Sequence, residues 1–106
     1  FRVNAFRQKG SYAMAIRHVK AIAPSFSGLS LPDVILDLAT QENGLVLITG
    51  TTGSGKSTCL ASMVRHLNEN YNRHILTIED PIEFVHVDKN SVMTQRELGQ
   101  DTKSYA

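Results

Sequence analysis

The chain has 106 residues, of which 42% are hydrophobic and 20% are charged, and its formal net charge is +1. These values are typical of one soluble α/β domain or of a piece of a larger one, and the near-neutral charge argues against a nucleic-acid partner. The single cysteine excludes a disulfide framework, and no apolar run approaches the roughly 18 residues that span a bilayer.

The beginning of the chain alternates between two faces. Residues 1–8 and 12–19 both show a period of two, and Lys9, Gly10 and Ser11 lie between them. This pattern predicts a β-hairpin. A helix over residues 12–20 is the alternative, because Ala and Met favour helices.

Residues 21–31 are rich in Pro, Ser and Gly and predict a linker. Pro32 and Asp33 then favour the start of a helix, since proline suits the first turn and an acidic side chain suits the positive end of the helix dipole. An apolar stripe follows at helical spacing, and Asn43 and Gly44 are expected to end it.

The middle of the chain predicts a parallel sheet with a crossover helix. The apolar run at 45–48 favours a buried strand, apolar residues at i, i+3, i+4 and i+7 from residue 60 indicate a helix, and residues 75–78 favour the next strand. Together they predict a right-handed βαβ unit. Short edge strands are expected at 84–87 and 91–94.

Residues 50–58 contain the pattern G-x-x-x-x-G-K-[ST] between a predicted strand and a predicted helix. Glycines let backbone N–H groups turn toward phosphate oxygens, and the helix dipole favours an anion there. Lys56 is expected at the β and γ phosphates of ATP, the Ser57 hydroxyl at Mg²⁺, and Thr58 at the α-phosphate. The candidate nucleotide-binding residues are Gly50, Thr51, Thr52, Gly53, Ser54, Gly55, Lys56, Ser57 and Thr58.

Carboxylates follow the strand predicted at 75–78. Glu79 and Asp80 come directly after it, and Glu83 lies one loop later. Because ligands collect at the carboxyl ends of parallel strands, these acids are candidates to orient water or to hold Mg²⁺ through water, as in a Walker B strand. The alternative is a solvated acidic turn. Residues 95–97 are polar and give no functional signal by themselves.

These segments together carry a resemblance to the type II/IV secretion ATPase superfamily. The stretches that carry it are 50–58, 75–86 (ILTIEDPIEFVH) and 94–99 (TQRELG). The earlier segments FRVNAFRQ, KGSYAMAIR and PSF…LP are similar, within that superfamily, to the retraction ATPases of type IV pili. The resemblance covers essentially the whole chain. Thr51 and Cys59 stand where the family usually has Pro and Thr.

The resemblance implies a hexameric ATP-driven motor that disassembles pili. The expected fold is α/β, a partial P-loop RecA-like core with a parallel sheet: residues 1–20 would end an N-terminal α/β domain, 21–31 would be a linker, and 32–106 would begin the ATPase domain. ATP and Mg²⁺ are the implied cofactors. The implied partner is the pilus platform protein, at the cytoplasmic side of the inner membrane.

The resemblance also changes the interpretation of single residues. Glu79, Asp80 and Glu83 match the family's Asp box rather than Walker B. Arginines of the N-terminal domain approach the phosphates in such motors, so the arginines of the predicted hairpin are candidates, with exposed surface charge as the alternative. These arginines are Arg2, Arg7 and Arg17.

The family's Walker B glutamate and His box are expected after residue 106. The chain is therefore expected to be a piece of a longer motor, with little or no ATP turnover of its own. Two alternatives stay open at this stage. One is a pilus assembly or type II secretion ATPase, and the other is a nucleotide-binding module without turnover.

Overall fold

A computed structural model describes residues 1–19 and 22–105. Lys20, Ala21 and Ala106, which fall within the predicted domain boundaries, lie outside the described residues. In chain order the elements are strands β1 (Arg2–Gln8) and β2 (Ser11–Arg17), helices α1 (Val34–Thr40) and α2 (Lys56–Asn70), and strands β3 (His74–Glu79) and β4 (Val92–Glu97). A short 3₁₀ turn, Phe26–Leu29, lies within the predicted linker. No helix in the described part of the chain is long and apolar enough to cross a membrane.

The hairpin predicted at the start of the chain is confirmed. β1 and β2 pair antiparallel, with Arg2 opposite Arg17. Lys9 and Gly10 have φ angles of 49° and 77°. Positive φ at both central residues is what a type I′ turn requires, and its twist matches that of the paired strands. The alternative helix over 12–20 is therefore wrong for the residues that β2 occupies.

The helix predicted from Pro32 is confirmed as α1, although it ends earlier than expected. The Asp33 carbonyl accepts hydrogen bonds from the backbone N–H groups of Leu36 and Asp37, at 2.8 and 3.2 Å. At the other end the Thr40 hydroxyl and the Gln41 side-chain amide both donate to the Asp37 carbonyl. The backbone of Gln41 turns to ψ 140°, which ends the helix at Thr40, and the two side chains satisfy the Asp37 carbonyl there.

The apolar run at 45–48 is not a strand, which corrects the sequence prediction. No described strand pairs with it, and Leu45 and Leu47 are 82% and 75% exposed. Apolar composition favours burial, but a strand exists only where a neighbouring backbone supplies the hydrogen-bond ladder. The predicted βαβ unit through 45–48 is therefore wrong.

The parallel pairing instead joins β3 to β4. Their register places His74 opposite Val92 and Glu79 opposite Glu97. The edge strand predicted at 91–94 corresponds to β4, whereas 84–87 forms no strand. Because the two strands run in the same direction, Glu79 and Glu97 lie together at their carboxyl ends.

One face of α2 packs on the irregular segments beside it. Ala61 is buried in a small apolar cluster with Ala23 and Phe84. One turn on, the Arg65 guanidinium donates to the Ala23 carbonyl at 2.7 Å. Asn68 is buried, its amide donates to the Val87 carbonyl at 2.8 Å, and its amide oxygen accepts from the Lys89 backbone N–H at 3.1 Å. The helix thus fixes both the linker and the chain after residue 83.

We expect Asn68→Ala to lower the free energy of unfolding by about 1–2 kcal/mol, because the buried Asn68 side chain loses its hydrogen bonds to the Val87 carbonyl and the Lys89 N–H. Asn70→Ala is the matched control, since Asn70 is exposed on the same helix and its amide donates to the His66 carbonyl. The control should change stability by less than about 0.5 kcal/mol. Urea denaturation of both variants measures the difference, and equal losses would contradict this role of Asn68.

Candidate functional site

The loop before α2 adopts a conformation that only glycine accommodates well. Gly50, Gly53 and Gly55 have φ angles of 153°, 80° and 92°. A Cβ atom on Gly50 would lie 2.7 Å from the Ser54 hydroxyl oxygen, so a side chain there would clash. The loop curls tightly because the glycines remove both the steric conflict and the backbone strain.

The first turn of α2 presents free backbone donors. Gly55 caps the helix without a side-chain hydrogen bond, and the first helical bond runs from Cys59 N–H to the Gly55 carbonyl at 2.8 Å. Within the described residues, the N–H groups of Lys56, Ser57 and Thr58 have no backbone acceptor. Unpaired N–H groups at the positive end of a helix dipole form an anion-binding site.

The Lys56 side chain lies across the loop. Its ammonium donates to the carbonyls of Gly50 and Thr51, at 2.9 and 2.8 Å. In the part of the chain that the structure describes, no carboxylate pairs with it. The site therefore holds a localised positive charge that no acidic side chain neutralises.

A cleft of about 500 Å³ opens over this loop. Its polar wall is formed by the loop and the start of α2, including Lys56 and Thr58, and its apolar wall by Leu29, Leu31 and Ile48. This combination suits a ligand with an anionic part and a flat apolar part. Pockets that bind small molecules or cofactors typically combine apolar walls with a few polar groups.

A second cleft, of about 470 Å³, joins the start of α2 to the end of β3. Ser57 lines it together with Glu79, Asp80 and Glu83, so the structure brings the predicted acids to the same cavity as the loop hydroxyl. Asp80 and Glu83 are exposed, whereas Glu79 is partly buried. The loop serine and the carboxylates, which suit a cation or water, thus share one cleft, whereas Lys56 and Thr58 line the cleft over the loop.

Glu79 is held by its neighbours on the sheet. Its Oε1 atom accepts hydrogen bonds from the Thr77 hydroxyl at 2.7 Å and from the Gln95 side-chain amide at 2.9 Å. Glu97, also on β4, accepts at Oε2 from the Ile82 backbone N–H at 3.1 Å. The sequence analysis missed both β4 residues. Their spacing of two in a strand, which places them on one face, is the signal that could have found them.

The hairpin brings two of its three candidate arginines to the site. Arg2 and Arg17 line a cleft of about 260 Å³ with Thr58 and Glu83. Arg2 also lies 3.8 Å from Glu97 Oε1.

Arg7 lies elsewhere on the hairpin. It pairs with Tyr12 near the turn, and its guanidinium carbon is 5.2 Å from the centre of the Tyr12 ring. It does not line the cleft that contains Arg2 and Arg17.

His86 lines the acidic cleft as a partly buried residue. Burial lowers the pKa of its imidazole below the ordinary value, because the charged form loses solvation, and the nearby Glu79 carboxylate offsets part of this effect.

Comparison with known proteins identifies the family. The sequence pattern of the family described as type II/IV secretion system protein matches residues 16–104. The chain belongs to this family. The resemblance expected from the motifs is therefore confirmed, and the family includes ATPases, as the names of relatives show.

Similar members of the family include a pilus ATPase and a motility protein from two bacteria. A type IV pilus ATPase, PilU, of Pseudomonas aeruginosa is 44% identical over 105 residues, which are 99% of this chain and 28% of that protein. A twitching motility protein of Neisseria gonorrhoeae is 49% identical over 106 residues, which are 100% of this chain and 28% of that protein. The chain thus spans less than a third of these relatives.

A solved structure shows the same fold. The crystal structure of the pilus retraction motor PilT with bound ADP is similar with a TM-score of 0.94 at 53% sequence identity, covering 100% of this chain and 31% of that one. This match confirms the predicted fold class, an α/β chain with a terminal hairpin and part of a RecA-like core.

We expect the chain to lose stability as the pH falls below about 6.5, the ordinary pKa of histidine. The pKa of His86 is lowered on folding, so the unfolded chain binds more protons in that range and acid favours unfolding. His86→Gln should flatten the dependence of melting temperature on pH between about pH 8 and about pH 5.

His18→Gln is the control for that measurement, because His18 is an exposed histidine on the hairpin side of the chain. The melting temperature of His18→Gln should change with pH as steeply as that of the parent chain. Equal slopes for His86→Gln and the parent chain would contradict the assignment.

Proposed function

We propose that the loop at 50–58 binds the phosphates of MgATP. The observation that carries this proposal is the set of unpaired N–H groups at the start of α2, next to a Lys56 ammonium that no carboxylate neutralises. The glycines of the loop hold positive φ angles that L side chains rarely adopt, so the backbone can curl and approach a ligand closely. The ADP bound by the similar retraction motor supports the same assignment.

Each residue of the site has a proposed role in this complex. Lys56 neutralises charge on the β and γ phosphates, Thr58 donates to the α-phosphate, and the Ser57 hydroxyl ligates Mg²⁺. When bound, Mg²⁺ would neutralise charge on the phosphate oxygens during transfer. Across the cleft, the acids at the end of β3 would orient water or a magnesium-bound water. Arg2 and Arg17 would approach the phosphates from the hairpin.

For the whole protein we propose ATP-driven retraction of type IV pili. Support comes from the names of the similar proteins, a twitching motility protein and a pilus retraction motor. In this proposal residues 1–20 end an N-terminal domain, 21–31 link it, and 32–106 begin the ATPase core. Six subunits would assemble at the cytoplasmic face of the inner membrane, against the platform protein of the pilus.

In this proposal, ATP hydrolysis also requires a Walker B glutamate that the residues of this chain do not supply. Among the described residues after residue 83, the strand that ends in an acid is β4, and its sequence VMTQRE is too polar for the buried Walker B strand that we expect. We therefore propose that the 106-residue chain binds nucleotide and turns it over slowly or not at all, while the full-length protein is the ATPase.

We expect Lys56→Ala to weaken the binding of fluorescently labelled ADP by at least about tenfold, since it removes one charge-assisted contact to phosphate. Fluorescence anisotropy measures the dissociation constant. Lys103→Ala, which changes an exposed lysine outside both clefts, is the matched control and should bind like the parent chain. Equal affinity of the Lys56 and Lys103 variants would contradict the phosphate site.

The position of the hairpin arginines leads to a second expectation. Arg2→Ala and Arg17→Ala should each lower ATP hydrolysis by the full-length protein by roughly tenfold or more, because a cation beside the transferred phosphate stabilises the transition state. Arg7→Ala should leave the rate unchanged, since Arg7 lies against Tyr12. Steady-state phosphate release measures all three variants. A loss confined to Arg7→Ala would contradict the arrangement.

Retraction and assembly are separated by the phenotype of a gene deletion. Loss of a retraction motor should leave pili on the cell surface and abolish twitching, because the filaments form but are not withdrawn. Electron microscopy of the pili, together with a surface-motility assay, measures both effects. A deletion strain without pili would favour an assembly ATPase instead.

A further inference from the structure

We propose that Gln95 is a positioning residue of the ATPase site, which holds the Glu79 carboxylate and the chain at 84–86 in one fixed arrangement. This inference rests on the proposed function, because it assigns to Gln95 a role in the same reaction. Gln95 is expected to act through Glu79.

A single amide makes three hydrogen bonds here. The Nε2 group of Gln95 donates to Glu79 Oε1 and to the Phe84 carbonyl, both at 2.9 Å. Its Oε1 atom accepts from the His86 backbone N–H at 2.7 Å. The Gln95 side chain thus links the end of β3 to residues 84–86.

The sheet register explains why an amide at this position reaches Glu79. Gln95 lies opposite Thr77, and the Thr77 hydroxyl donates to the same Glu79 Oε1 atom at 2.7 Å. Two neutral donors fix one carboxylate oxygen without neutralising the negative charge. Among the described residues, the second oxygen of Glu79 has no hydrogen-bond partner, so it is free to accept from a ligand or water.

This arrangement predicts an effect on turnover rather than on binding. Gln95 does not line the cleft over the 50–58 loop, where the phosphates are proposed to bind. Its side-chain hydrogen bonds in the described structure go to the acidic side of the site. A carboxylate that loses its orientation slows a reaction whose rate depends on geometry, while the contacts that hold the ground state remain.

The test compares variants of the full-length protein. In Gln95→Leu all three hydrogen bonds are lost, and we expect kcat for ATP to fall by about 10–100-fold while the dissociation constant of labelled ADP is unchanged. Gln41→Leu is the control, because it removes another glutamine amide that donates to a carbonyl, at the residue after α1 and outside the site. It should keep the parent kcat.

Two further variants separate the parts of this network. Gln95→Glu keeps an acceptor for the His86 N–H but loses the donor to Glu79, so it should be as slow as Gln95→Leu. Thr77→Val removes the other donor to Glu79 and leaves the 84–86 segment tied, so it should also lower kcat at unchanged affinity. If Gln95→Leu does not fold, these two variants decide the question.

The outcomes distinguish this inference from the function on which it rests. A parent protein that does not bind ADP would overturn the proposed function and the inference with it. A parent protein that hydrolyses ATP, with Gln95→Leu or Gln95→Glu at the parent kcat, would overturn the role of Gln95 alone. A loss of affinity equal to the loss of kcat would assign Gln95 a structural role and would also overturn it.

Discussion

Packing of the buried face of α2 against two irregular segments sets the position of the 50–58 loop relative to the chain after residue 83. Ala61 contacts Ala23 and Phe84, and Asn68 hydrogen-bonds the chain at 87–89. A helix is a rigid rod, so contacts along its middle and carboxyl-terminal turns also fix the position of its amino-terminal end. Lys56 and Ser57 therefore lie at a fixed position relative to the acids at the end of β3 and in the loop after it, although these acids belong to a later part of the chain.

The site places opposite charges in two clefts that both reach the first turn of α2. The start of α2 supplies unpaired N–H groups and the Lys56 ammonium, and the end of β3 supplies Glu79, Asp80 and, one loop later, Glu83. A nucleotide phosphate suits the first cleft, and a divalent cation or an ordered water suits the second. The Gln95 side chain on β4 donates a hydrogen bond to Glu79. A change in the pairing of β3 with β4 would therefore also move a carboxylate of the proposed site.

The elements that depend on local patterns could be predicted from the sequence. The period-two alternation around Gly10 gave the hairpin, and the apolar stripe after Lys56 gave α2. The strand predicted at 45–48 was wrong, because apolar content predicts burial but does not indicate whether a partner strand is present. Pairing depends on residues far apart in the chain.

The dependence of strand pairing on residues far apart in the chain also explains why the sequence did not indicate two residues of the site. Gln95 and Glu97 matter because β4 pairs in parallel with β3, which their own polar sequence does not indicate. The separation of Arg2 and Arg17 from Arg7 follows from the hairpin register, which alternation alone does not determine. The glycine loop needed no such long-range information, since its pattern and its conformation are both local.

We propose that the nucleotide phosphates bind at the 50–58 loop and the first turn of α2, beside the acids that follow β3. Two-dimensional amide NMR of the isotopically labelled chain, titrated with MgADP, tests this most directly. We predict that the largest shift changes fall in residues 52–58 and 79–83, with smaller ones at Arg2 and Arg17 and none at Tyr12. Changes confined to other parts of the chain, or no saturable change, would contradict it.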